Sequence, residues 1–142
     1  MNSGPAVSIF DLYEWLPSYG ENSVTVESKG LDLTIKIEYD SENEYQKNHC
    51  RELQFDKVCA FYRTAFPGVS ILNLDYDKNA ESPPMGALIE YPESEAAYAW
   101  NQHFGASRQI KHYKIIFLSE NIIVEIFASN VVLGDEYVIS LQ

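Results

Sequence analysis

The chain has 142 residues, 46% of them hydrophobic, and carries 21 Asp and Glu against 10 Lys and Arg, a formal net charge of -11. That size and apolar content predict one globular domain over 1–142, with a core that needs neither disulfides nor a structural metal. The charge argues against nucleic acid, whose binding draws on Lys and Arg displacing counterions from phosphates, and favours encounter with basic proteins. No apolar run reaches the roughly eighteen residues of a membrane helix and no basic-then-apolar leader opens the chain. The two cysteines, Cys50 and Cys59, fit a reducing compartment, so a cytoplasmic protein without a membrane partner is expected.

Along the chain, Ile9, Leu12, Tyr13 and Leu16 recur at helical spacing behind Ser8, with Asp11 in the first turn and Pro17 as a stop. They predict a short N-terminal helix. From 31 to 39, Leu31, Leu33, Ile35, Ile37 and Tyr39 alternate with polar residues as a half-buried strand does. Val24 and Val26 carry the same period on the far side of Lys29-Gly30, so the two segments are expected to form an antiparallel hairpin. Residues 40 to 48 read as an acidic loop, and Leu53 with Phe55 as a short strand.

From Val58 to Phe66 the pattern fits a helix face or a strand equally, and Pro67-Gly68 then makes a turn into extended chain over Val69 to Tyr76. Ala87 to Tyr91 is a short apolar strand. Pro92 to Ser94 starts a helix through about His103, whose stripe of Ala96, Ala97, Trp100 and Phe104 faces the core and which Gly105 can close. Tyr113 to Phe117 and Ile122 to Ala128 flank Ser119-Glu120-Asn121 as a hairpin; Val131 to Leu133 and Tyr137 to Leu141 continue as a meander. The expected fold class is α+β: a mainly antiparallel sheet, meander or partly closed barrel, with one or two short-to-medium helices packed on it. Local patterns do not encode strand order or oligomeric state.

The seven glycines stand too far apart to write a dinucleotide fingerprint, a P-loop or a nucleophile elbow. His49, His103 and His112 include no i, i+4 pair that would set two imidazoles on one helix face. The run Asp75, Asp77, Asn79, Glu81 imitates a calcium loop, but Ala80 takes the place of the required glycine and Gly86 that of the bidentate glutamate. Asp40, Glu42 and Glu44 fail in the same way, with Tyr45 at the glycine position. No metal, cofactor or catalytic residue is therefore predicted. The two acidic loops read as solvated or as partner-binding, with Asp40, Glu42, Glu44, Asp75, Tyr76, Asp77 and Glu81 as the candidate contacts and Tyr76 as an aromatic anchor. Cys59 reads as a buried small hydrophobe and Cys50 as the more exposed thiol.

The segment Gly86-Ala-Leu-Ile-Glu-Tyr91, the helix opening at Ser94-Glu95, and the hairpin of His112 to Phe117 with Val124 to Ala128 resemble small uncharacterised bacterial proteins of the polymorphic-toxin immunity type. The resemblance covers the C-terminal third to half and rests on hydrophobic pattern. It implies an acidic, cytoplasmic binding protein that occludes a basic toxin or enzyme, and it transfers no binding residue. Two other readings stand beside it. One is a small-ligand or carbohydrate-binding β domain using Trp15 or Trp100. The other is a small hydrolase whose site follows no motif, built from a carboxylate pair or from His103 or His112 with a distant acid.

Overall fold

Strand alternation shapes most of this chain, and the two faces of each strand decide what packs where. In a computed structural model, which describes residues 2–40, 47–65, 86–105 and 107–141, ten strands form two antiparallel sheets. Sheet I has the order β1 (Val7–Asp11), β6 (Ala87–Glu90), β7 (Lys111–Phe117), β8 (Ile122–Ala128), β5 (Ala60–Ala65). Sheet II runs β10 (Tyr137–Leu141), β4 (Lys47–Asp56), β3 (Asp32–Asp40), β2 (Ser23–Lys29), and β9 (Asn130–Leu133) pairs with β4 as well. The architecture is α+β and mainly antiparallel. Among the described residues neither sheet closes into a barrel.

The sheets pack face to face on one core. Sheet II contributes Val24, Leu33, Ile35, Ile37, Tyr39, Leu53 and Phe55, and sheet I contributes Leu88, Tyr113, Ile115, Phe117, Val124 and Ile126. Each Leu or Ile so buried contributes about 1.5–3 kcal/mol relative to leaving it in water. The expected hairpin is β2–β3, closed from Lys29 to Asp32 by a two-residue loop whose first residue, Gly30, has φ +60°, as glycine-first hairpin loops require. The hairpin β7–β8 closes from Phe117 to Ile122, with Asn121 at φ +55°.

The helix, α1 (Glu95–His103), lies on the outer face of sheet I and gives the molecule a third layer. Ser94 caps it, accepting from the Ala97 N–H at 3.2 Å, and Ala96, Trp100 and Phe104 pack with Ile110 and Phe127. Within the ambiguous segment 58–66, Ala60–Ala65 form β5, paired along its whole length with β8 from Ala60↔Phe127 to Ala65↔Ile122, and Phe66 lies outside the described residues.

Three expectations are corrected. Residues 7–11 form an edge strand, not a helix, because the β6 edge supplies their backbone partners; the chain becomes helical only over the 3-10 turn Leu12–Glu14, capped by Asp11. The short strand at Leu53 and Phe55 is a ten-residue strand reaching back to Lys47, which shortens the loop read over 40 to 48. The C-terminal segments do not extend the β7–β8 meander. At Ser129 the chain leaves sheet I, and β9 and β10 both align along β4, on the edge opposite β3.

Candidate functional site

The outer face of sheet II is set by register. Because Leu33, Ile35, Ile37 and Tyr39 point into the core, Asp32, Thr34, Lys36, Glu38 and Asp40 point out. Pairing places Glu27 and Lys29 of β2, and Glu52, Gln54 and Asp56 of β4, on the same side. Six carboxylates thus share this face with two lysines, and α1 lies on the other sheet, so no described helix covers them.

Four of the six have internal partners. Lys36 Nζ lies 3.5 Å from Glu27, Ser23 donates to Glu38 at 2.7 Å, Tyr137 donates to Glu52 at 2.6 Å, and the Asn22 amide donates to Asp40 at 2.9 Å. Asp32 and Asp56 have no side-chain partner among the described residues. They flank a depression of about 370 Å³ across β3, β4 and β9, floored by Thr34 and Gln54 and bounded by Asn130 and Val132.

On the helix side of sheet I the chemistry is buried. His112 is fully buried, its ring between Tyr91 at 4.7 Å and Phe127 at 4.5 Å. Its Nδ1 is 2.8 Å from Ser94 Oγ, and its Nε2 is 3.5 Å from Glu125 Oε2, whose other oxygen is 3.8 Å from Lys114 Nζ. Burial, aided by the Lys114 charge, pushes His112 down to about 4, so the imidazole is neutral at pH 7. Burial pushes Glu125 up to about 7 and lowers Lys114. Ser94 reaches a cavity of about 330 Å³, also lined by Tyr91, Tyr98, Asn101, Ile110, Lys111 and three glutamates, Glu90, Glu93 and Glu95.

At one end of the sandwich Tyr39 donates to Glu136 and stacks with His49, while Arg51 lies over Trp15 at 5.0 Å. The Trp15 ring, offered by sequence as a ligand platform, meets Tyr39 at 5.0 Å on the protein side. Trp100 is engaged by His103 and Phe104. The cysteine expectation is reversed. Cys50 is buried, with Tyr137 opposite it in the β4–β10 ladder, and Cys59 is only half-buried; burial raises both thiols.

Compared with family models, curated proteins and solved structures, this chain matches none.

Of the seven candidate contacts, Asp40 is placed at the end of β3 on the acidic face, held by Asn22. Glu42, Glu44, Asp75, Tyr76, Asp77 and Glu81 lie outside the described residues, as do Pro67-Gly68 and the extended segment expected over Val69 to Tyr76. The structure adds Asp32 and Asp56, which sequence reasoning passed over because each is a strand-end residue among many acids. Their signal was the alternation itself, which already put Asp32 on the wet face. Among the described residues no three His, Cys, Asp or Glu side chains are grouped to hold a metal ion, and no helix is long and apolar enough to cross a membrane.

Proposed function

We propose that this chain is an acidic, cytoplasmic bacterial protein that binds and occludes a basic protein partner, in the manner of the immunity-type proteins that the hydrophobic pattern of its C-terminal third to half resembles. The observation that carries the reading is the depression on sheet II between Asp32 and Asp56, two carboxylates on an outward face that have no side-chain partner among the described residues. Such a pair accepts a lysine, or the two-pronged guanidinium of an arginine, without first breaking an ion pair to any described residue. The other four carboxylates of the face are tied down in position, and they supply the field that draws a basic surface inward. Free thiols at Cys50 and Cys59 suit a reducing compartment.

The test is kinetic. A basic toxin domain encoded beside this chain is the partner to purify, and association and dissociation are measured at low and moderate salt, with toxin activity followed in parallel. Binding that weakens steeply with salt and abolishes toxin activity supports the reading. A toxin that stays unbound and fully active removes it.

A further inference from the structure

Three buried polar side chains from three elements meet beneath the helix, and the acidic face does not use them. Ser94 comes from the helix cap, His112 from β7 and Glu125 from β8, and they are 3%, 0% and 7% exposed. We propose that Ser94, His112 and Glu125 act as nucleophile, base and positioning carboxylate for hydrolysis of small neutral or cationic esters entering the cavity beside the helix N-terminus.

The geometry assigns each role. With its hydrogen directed at His112 Nδ1, 2.8 Å away, Ser94 Oγ keeps one lone pair for the Ala97 N–H and one for attack. The Ala97 N–H, in the first turn of a nine-residue helix, fixes Ser94 Oγ in position and favours negative charge on it as its proton leaves for His112. The neutral tautomer with hydrogen on Nε2 faces Glu125 at 3.5 Å, a separation longer than a formed hydrogen bond, which charge on the imidazolium would shorten. Tyr91 and Phe127 hold the ring from both faces. Three glutamates against the single Lys111 give the cavity a net negative lining that disfavours anionic esters, and about 330 Å³ limits the substrate to a small one.

In the reaction Oγ attacks the ester carbonyl while its proton passes to Nδ1. The imidazolium gives that proton to the leaving alkoxide as the C–O bond breaks. Water then attacks the acyl-serine, its proton passes through Nδ1 back to Oγ, and a carboxylic acid leaves.

A small dialkyl fluorophosphate tests the site on the full chain. Oγ forms a bond to phosphorus, fluoride departs, and the serine proton leaves through His112, so intact mass and peptide mapping read the product directly. One adduct on Ser94 is expected, absent from Ser94→Gly. Labelling should slow about a hundredfold or more in His112→Gln, and about tenfold or more in Glu125→Gln, with circular dichroism showing each variant folded. The proposal is overturned if folded wild-type protein gains no adduct over hours at millimolar reagent. It is equally overturned if the adduct falls on another residue, or if Ser94 reacts at the same rate in folded His112→Gln.

Discussion

Ser94 Oγ serves two partners at once: it accepts the Ala97 N–H at 3.2 Å and lies 2.8 Å from His112 Nδ1, so one hydroxyl both caps the helix and fastens it to sheet I. Replacing it by alanine removes the cap, worth about 1 kcal/mol, and leaves a buried ring nitrogen without its partner, worth about 1–3 kcal/mol. Ser94→Ala should therefore lose about 2–4 kcal/mol in urea denaturation, and Ser94→Thr much less. Equal midpoints for Ala and wild type would show that the two bonds contribute little.

Opposed pH dependences meet in the His112 and Glu125 pair. His112 is lowered from an ordinary 6.5 to about 4, so the stability it contributes is present above pH 6.5 and lost as pH falls toward 4. Glu125 is raised from 4.5 to about 7, so its contribution is greatest below pH 4.5 and lost as pH rises through 7. Across this window the slopes largely cancel in the wild-type chain. Relative to wild type, Glu125→Gln should lose about 3 kcal/mol between pH 6.5 and 4, and His112→Gln should gain a similar amount as pH falls from 7 to 4.5. Parallel pH profiles of urea midpoint for all three proteins would contradict this.

The acidic depression gives a sharper contrast between binding and folding. Asp32, just before Leu33, and Asp56, just after Phe55, stand one register position beyond the Leu33↔Phe55 pair, where like charges oppose each other. Asp56→Asn should leave stability unchanged or raise it by about 0.5 kcal/mol. The same change, with Asp32→Asn, should slow association with a basic partner several-fold at low salt, and the difference should shrink as salt screens the field. Stopped-flow association at two ionic strengths reads the effect; unchanged rates would move the contact off this face.

Gly86 is held by two constraints that mutation can separate. It sits at φ +81°, and a Cβ there would lie 2.2 Å from the Tyr13 ring. Gly86→Ala should cost about 2 kcal/mol or more in urea denaturation. In a Tyr13→Ala background only the backbone term remains, about 1 kcal/mol, and a double-mutant cycle separates the two. An undiminished cost in that background would show that the ring does not constrain the turn.

Local chemistry was enough for most elements of the fold. Alternation from Leu33 to Tyr39 determined a strand and its buried face, Gly30 its hairpin, and Ser94 with the apolar stripe the start and inner face of α1. Where two periods fit the same residues, tertiary pairing decided. Ile9, Leu12, Tyr13 and Leu16 satisfy a helical spacing, but β6 offers residues 7–11 a ladder and Ile9 is left at the bulge. Val58 to Phe66 was ambiguous until β8 supplied a partner for Ala60 through Ala65.

Partner choice is what sequence could not contain. Alternation states which side of a strand is dry, not which strand lies beside it, and so the passage of β9 and β10 to the edge of β4 was illegible. The same limit hid the buried site. A serine at a helix cap, a histidine in a strand and a glutamate in another are each commonplace, and no spacing links 94, 112 and 125. The sequence determined an acidic sheet face and a capped helix, because those depend on neighbours one to four residues away. Only the packing of α1 on sheet I brought Ser94, His112 and Glu125 within reach, because burial and contact across layers depend on residues distant along the chain.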